Sequence, residues 1–306
     1  DPSAVAAARA MELCHDAPAE GGWGLVSARW VIPTSAGGWV QPTPVIQPKY
    51  HLGHGIFDSF GPHVGPRHGA RMLALSGGTA RRPGDEGYVA HGPNAQGGLG
   101  FDKGIQAAHP AGFPLPAPSC PDVEPSPNVF DPSALELVVR APSNAKAIRY
   151  AFKFYTYEWP NFVCDAFDDV FLALLDPPRT ESGNISFDEL QNPVSVNNLF
   201  LDVCGCPGNP PEPCAVNTGN GGVKLFDCEA GNLELIGTGF GVHTELVDHG
   251  ATSWLATRAP VDSGEDFTLR LVIYDVGDPN WDSLVLVDAF SWDADAGQEV
   301  STDVLK

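Results

Sequence analysis

Three acidic clusters carry the chemistry this sequence could perform. Glu158 closes the aromatic run FYTYE. Asp165, Asp168 and Asp169 precede the apolar run Val170–Leu175. Asp275, Asp278, Asp282 and Asp288 punctuate YDVGDPNWDSLVLVD. Calcium takes about six to eight oxygen ligands from carboxylates, carbonyls and water, and turns joining strands can bring such clusters together. The spacing Asp275-x-x-Asp278-x-x-x-Asp282 can wrap one ion, although it is not the spacing of an EF-hand. Glu158, Asp168, Asp169, Asp275, Asp278 and Asp282 are therefore the candidate calcium ligands. The competing reading is ordinary turn chemistry, with Asp side chains capping backbone N–H groups.

Other chemistry is less well supported. Four histidines, His51, His54, His63 and His68, crowd one Gly/Pro-rich segment. Imidazoles can bind zinc or copper, but HExxH is absent and solvated loop histidines are the plainer reading. No GxSxG elbow, P-loop or dinucleotide fingerprint occurs. Glu158 and Asp169 could serve as a hydrolytic carboxylate pair only if a cleft brought them to a substrate. Exposed members of the seven tryptophans could form a sugar platform; more often such rings fill a core.

The elements that must position these residues are mostly strands. The chain has 306 residues with 17 Lys and Arg against 38 Asp and Glu, a formal charge of −21. That charge disfavours nucleic acid and anionic membrane surfaces as partners. No apolar run is long enough for a membrane-spanning helix. Gly (34) and Pro (29) favour a turn-rich fold over a helical bundle. Residues 1–14 are the one convincing helix, with Ser3 or Asp1 as cap, Pro2 in the first turn and an alanine-rich interior. Strand-like runs follow at 24–32, 55–60, 70–76, 134–140, 147–157, 170–175, 194–203, 233–239, 253–257, 267–274 and 283–292. This predicts an all-β fold, an antiparallel sandwich or jelly roll, as one domain over 1–306 with long irregular excursions at 78–130 and 204–232. Cys14, Cys120, Cys164, Cys204, Cys206, Cys214 and Cys228 lack close CxxC knuckles and read as disulfides of an exported protein, with one thiol left over. Cys14 with Cys120 would tie the helix to the first excursion. Cys206, Cys214 and Cys228 would supply one further pair. The start at Asp1 reads as a mature form after signal removal.

Three stretches carry a family resemblance: FYTYEWPNFVCDAFDDVFLALL, GNISFDELQNPVSVNNLFLDVC and WLATRAPVDSGEDFTLRLVIYDVGDPNWDSLVLVDAFSW. Together they resemble the choice-of-anchor L domain of bacterial secreted proteins, and SFGPHVGPRHGARMLALSGGTAR resembles the region preceding it. The resemblance covers roughly residues 55–80 and 131–293. It implies a secreted or surface-displayed domain without established enzymatic activity. It also implies calcium ligation by the Glu158/Asp169 and Asp278/Asp282 turns, and a Cys164–Cys204 pairing between neighbouring segments. The expected role is structural or adhesive, as a subunit of an extracellular filament or surface layer that associates with itself or with other surface components. A carbohydrate-binding module is the alternative, with glycans as partners, and a hydrolase the third reading. Assembly would use the helical N-terminus docking on a neighbour, so deleting residues 1–14 would leave a folded monomer.

Overall fold

The structure is a computed structural model and describes residues 2–93, 97–205, 213–219, 221–241, 249–295 and 299–305. It opens with α1 (Ala4–Ala10), then β1 (Gly24–Pro33), β2 (Trp39–Val40), β3 (His54–Phe57), β4 (Met72–Ser76) and β5 (Gln106–Ala107). The long strands β6 (Val129–Arg140), β7 (Ala147–Thr156) and β8 (Val170–Asp176) follow, then the short β9 (Val194–Ser195) and β10 (Leu201–Val203). A hairpin of β11 (Cys214–Asn217) and β12 (Val223–Phe226) leads to β13 (Gly250–Thr252) and β14 (Leu255–Pro260). The chain continues through β15 (Asp266–Val276), β16 (Ser283–Asp293) and β17 (Ser301–Val304). One sheet runs β2-β1-β6-β15-β8-β9, with β5 on β6. The other runs β10-β13-β7-β16-β4-β3, with β14 on β7 and β17 on β14. The pairings are antiparallel, so the expected all-β sandwich is what forms.

Period two decides which side chains meet. Leu135, Leu137 and Val139 of β6, Leu269, Leu271 and Ile273 of β15, and Phe171, Ala173 and Leu175 of β8 face Tyr150, Phe152 and Phe154 of β7 and Val285 and Val287 of β16. The intervening residues are also largely buried, because side chains from the connections and from the short strands cover the outer faces. Phe57, Phe60 and Phe240 lie over one sheet, and Trp39, Ala107 and Phe113 over the other. Strands buried on both faces read as near-continuous apolar runs, as LVLV of β16 does.

Helix α1 is shorter than expected and is built into the core. Ser3 Oγ accepts the Ala6 N–H at 3.1 Å. Ala7, Ala8 and Met11 are fully buried in the cluster between the sheets, and Phe290 N–H donates to the Met11 carbonyl at 2.8 Å. The apolar face of α1 is therefore covered by the core of its own chain.

Three other expectations change. Residues 233–239 form a 3-10 turn, Leu233–Leu235, followed by Gly237 and Gly239 at positive φ, rather than a strand. Residues 194–203 break at Asn197–Asn198 into β9 and β10. The hairpin β11–β12 and the strand β17 were not foreseen; β11–β12 lies in the second excursion.

The disulfide pairings are corrected as well. Cys120 bonds Cys164, and Cys204 bonds Cys228. Cys214 is also disulfide-bonded, and Cys206 lies outside the described residues. Among the described residues Cys14 is the free thiol, and it is exposed. It cannot reach Cys120. Leu25, beside His15, lies at the Arg140 end of β6, whereas Cys120 and Cys164 sit toward the Val129 end. Twelve strand residues separate the two ends by about 35–40 Å. Cys164 and Cys204 do lie in one apolar cluster with Trp159 and Val196, but each takes another partner there. Peptide mapping of the oxidised protein is expected to recover both assigned bridges and one alkylatable thiol, at Cys14. Removing the Cys120–Cys164 bridge, which closes a separation of 44 residues, should cost about 2–4 kcal/mol in urea unfolding. Seven alkylatable thiols would contradict both.

Candidate metal centre: a buried carboxylate cluster

The inward-facing columns of both sheets change character at one end of the sandwich. Following β15 along the parity of Leu269, Leu271 and Ile273 reaches Asp275. Following β8 backward through Ala173 and Phe171 reaches Asp169. In β7, Phe152 and Phe154 lead to Thr156 and then Glu158; in β16, Val287 and Val285 lead back to Ser283; in β6, Leu135 leads back to Ser133 and Asp131. All of these polar side chains are buried. The connections 157–169 and 277–282 cross between the sheets here, so carboxylates from both sheets enclose a common space.

Backbone donors and hydroxyls hold this arrangement. Glu158 Oε2 accepts the Asp169 N–H at 2.9 Å. Asp169 accepts the Val276 N–H at 3.2 Å and the Ser283 hydroxyl at 2.9 Å. Asp282 accepts the Phe101 N–H at 3.1 Å, and its Oδ2 lies 3.6 Å from the buried His91 Nδ1. Asp131, at φ 49°, accepts the N–H groups of Lys103 and Ile105 at 2.6 and 2.9 Å. Lys103 Nζ donates to the Ser76 carbonyl at 2.8 Å and to Ser133 Oγ at 3.0 Å. Asp275 is the exception: it is fully buried, and neither carboxylate oxygen has a hydrogen-bond partner among the described residues. The chain presses close against it. A Cβ on Gly77 would lie 1.6 Å from Asp275 Oδ1, and one on Gly78 1.7 Å from Asp282 Oδ2, so glycine is required at both.

The electrostatics follow from that crowding. Burial, reinforced by neighbouring carboxylates, pushes Glu158, Asp169 and Asp275 well above the usual carboxylate range. Burial also raises Asp282, against the pull of His91, Lys103 and the Phe101 N–H. Asp131 is pushed up to about 6, chiefly by burial and against Lys103. Five carboxylates face one ammonium group, so the cluster must take up protons or a cation.

The six predicted ligands do not all join it. Glu158, Asp169, Asp275 and Asp282 do. Asp168 sits alongside, its carboxyl pushed up to about 7 by burial, with Ser195, Asn197 and Lys224 favouring its charged form; its Oδ1 is buried without a partner among the described residues. Asp278 is half-buried and accepts the Asn280 backbone and side-chain N–H groups at 2.9 and 2.8 Å, a local turn. Asp131, Lys103 and His91 were missed. The histidines of 51–68 do not converge: His54 is buried against Trp30 at 3.8 Å between ring centroids, while His51, His63 and His68 are exposed. Glu158 and Asp169 are 2% and 1% exposed, so as placed they cannot meet a substrate bond.

The donor set fits a hard divalent cation: it is all oxygen, anionic and partly unsatisfied at Asp275. Among the described residues, the one group of three His, Cys, Asp or Glu donors meeting within 4.8 Å is Cys204, Cys214 and Cys228, whose sulfurs are committed to disulfides. The carboxylates are therefore more widely spaced, and carbonyls or water would complete a shell.

A pH dependence follows for the metal-free protein. Asp131 and its neighbours have folded-state values above the unfolded value of about 4. The native state then holds more protons than the unfolded chain above pH 4, and stability falls as pH rises through the folded-state values. In chelator the melting temperature should fall between pH 5 and pH 7.5, by about 2–4 °C per kcal/mol lost. A rise over that interval would contradict the assigned burial of these acids.

A disulfide-linked antiparallel sandwich with an acidic, glycine-lined end is the class of protein described. The chain belongs to the choice-of-anchor L domain family, whose sequence profile matches residues 127–293, from just before β6 to the end of β16. Glu158, Asp169, Asp275 and Asp282 all fall inside the match; Lys103, His91 and the 55–80 segment fall outside it. Neither a search of curated proteins nor one of solved structures finds a match to the chain. The family places the protein among surface-displayed or secreted proteins. No helix among the described residues is long and apolar enough to cross a membrane.

Proposed function

We propose that this is a structural or adhesive cell-surface domain whose sandwich is locked at one end by calcium. The observation that carries the reading is Asp275, with both oxygens buried and without a hydrogen-bond partner among the described residues, beside Asp169, Asp282 and Glu158. Glu158, Asp169, Asp275 and Asp282 would hold the ion, joining the two sheets through the crossing connections. Extracellular calcium suits an oxygen-rich site of this kind.

Assembly into a filament or surface layer belongs to the same reading. A net charge of −21 opposes casual association, so contact between copies would need a specific surface, helped by a cation that lowers the repulsion. Light scattering on native full-length material tests this. Species larger than the monomer in calcium, reverting in chelator, are expected. A strictly monomeric profile in both would remove the assembly role and favour a ligand-binding module.

A further inference from the structure

A second polar constellation lies on the outer face of β6, away from the carboxylate cluster and within the strand. Arg29 of β1, Glu136 of β6 and Arg270 of β15 stand in direct register across three neighbouring strands. Glu136 is 4% exposed. One of its oxygens takes Arg29 Nε at 2.5 Å and the other takes Arg270 Nε at 2.8 Å. Each arginine thus spends its Nε on the buried carboxylate, and among the described residues neither guanidinium makes another hydrogen bond. The Nη groups remain as two forks aimed by one shared anchor. The Arg270 guanidinium also lies 5.5 Å from the ring centre of Trp39, which fixes its plane. Two arginines share one carboxylate here, and with Asp176 the charged groups around them balance formally, so an anion would be held by the directed Nη donors and not by a general positive field.

These groups line a cavity of about 430 Å³, within the range of small-molecule sites. Its wall includes the side-chain-free turn Gly37–Gly38, and Asp176 and Ser182 also line it. Arg29 also lines an adjoining cavity of about 510 Å³, with Trp30, Gln41, Gln47 and Tyr50. The first cavity is evenly polar and apolar and the second mostly apolar; edged by Trp39 and Trp30 and sharing one arginine, they suit a ligand of more than one repeating unit with both polar edges and apolar faces. Asp176 disfavours a densely charged polyanion and can accept hydroxyl groups.

We propose that this paired cavity binds an acidic oligosaccharide carrying one carboxylate per sugar, a uronate, with the carboxylate on the Nη forks of Arg29 and Arg270. Glu136 is a positioning residue that orients both forks, and Trp39 backs Arg270. The proposal is independent of the calcium site.

Calorimetry at one fixed free-calcium concentration tests it, with a galacturonate tetramer, its methyl ester and a sulfated neutral tetrasaccharide as probes. Binding of the acid, with the ester at least about tenfold weaker, is expected from loss of the charge-assisted contacts. Arg29→Gln and Arg270→Gln should each weaken acid binding about tenfold or more, Arg270→Lys less than Arg270→Gln, and Glu136→Gln through misplacement of both forks. Arg29→Gln takes one of two partners from the buried Glu136, so it should lower the melting temperature. Binding is read at a temperature where every variant is folded by circular dichroism, and Arg29→Lys, which keeps the charge, should bind more tightly than Arg29→Gln. No binding of the acid, equal binding of acid and ester, tighter binding of the sulfated probe, or undiminished binding in Arg29→Gln would each overturn the proposal.

Discussion

Chelation is expected to lower the melting temperature of this protein by about 5–10 °C. An ion bound only by the native state stabilises it by about 2.7 kcal/mol at a concentration a hundredfold above its dissociation constant, and a chain of this size loses about 2–4 °C per kcal/mol. The physical cause is mutual repulsion among Glu158, Asp169, Asp275 and Asp282, which Lys103 offsets only in part. Asp275→Asn separates this account from a purely structural one. It removes a charge that has no hydrogen bond to lose among the described residues, while keeping the side chain's shape against Gly77. In chelator at pH 7.5 the variant should melt above the parent, because one repelling charge is gone. In calcium it should melt below the parent, because the ion has lost a ligand. A variant that melts above the parent in both conditions would mean that the cluster is relieved by protons and not by calcium.

Removal of residues 2–13 is expected to prevent folding. Ala4, Ala7, Ala8, Met11 and Leu13 are all buried in the cluster between the sheets, and their loss would open the core to water beside β1 and β4. The single substitution Met11→Ala should cost roughly 2–5 kcal/mol, from lost burial and the cavity left behind. Urea unfolding followed by circular dichroism reads both. A truncated chain that unfolds cooperatively at the parent's midpoint would show α1 to be an appendage, and would support the idea that it docks on a neighbouring copy.

Much of the fold was legible because hydrophobic period and turn chemistry agree in the long strands. Residues Ile148 to Tyr157 and Phe267 to Tyr274 carry alternations that survive in β7 and β15. The start of β6 was not legible: Pro132 suggests a break, yet the strand runs from Val129 through it with Asp131 at positive φ. Glu158, Asp169 and Asp275 share the inward parity of their strands, so extending that parity past the last apolar residue would have grouped them. Asp278 fell out because spacing along the chain does not report which way a turn residue faces. Lys103 and His91 come from an excursion without periodicity, and only tertiary structure places them. The Cys14–Cys120 pairing failed because spacing does not fix which thiols meet, and the Cys164–Cys204 pairing implied by the resemblance failed because their shared cluster also holds Cys120 and Cys228, which they bond instead.

Calcium titration calorimetry on chelator-stripped protein at pH 7.5 tests the central claim most directly. The account predicts saturable binding of one ion per chain, with protons released as the raised carboxylates give way to the metal, and loss of that binding in Asp275→Asn. No binding at millimolar calcium, or binding that Asp275→Asn leaves intact, would contradict it.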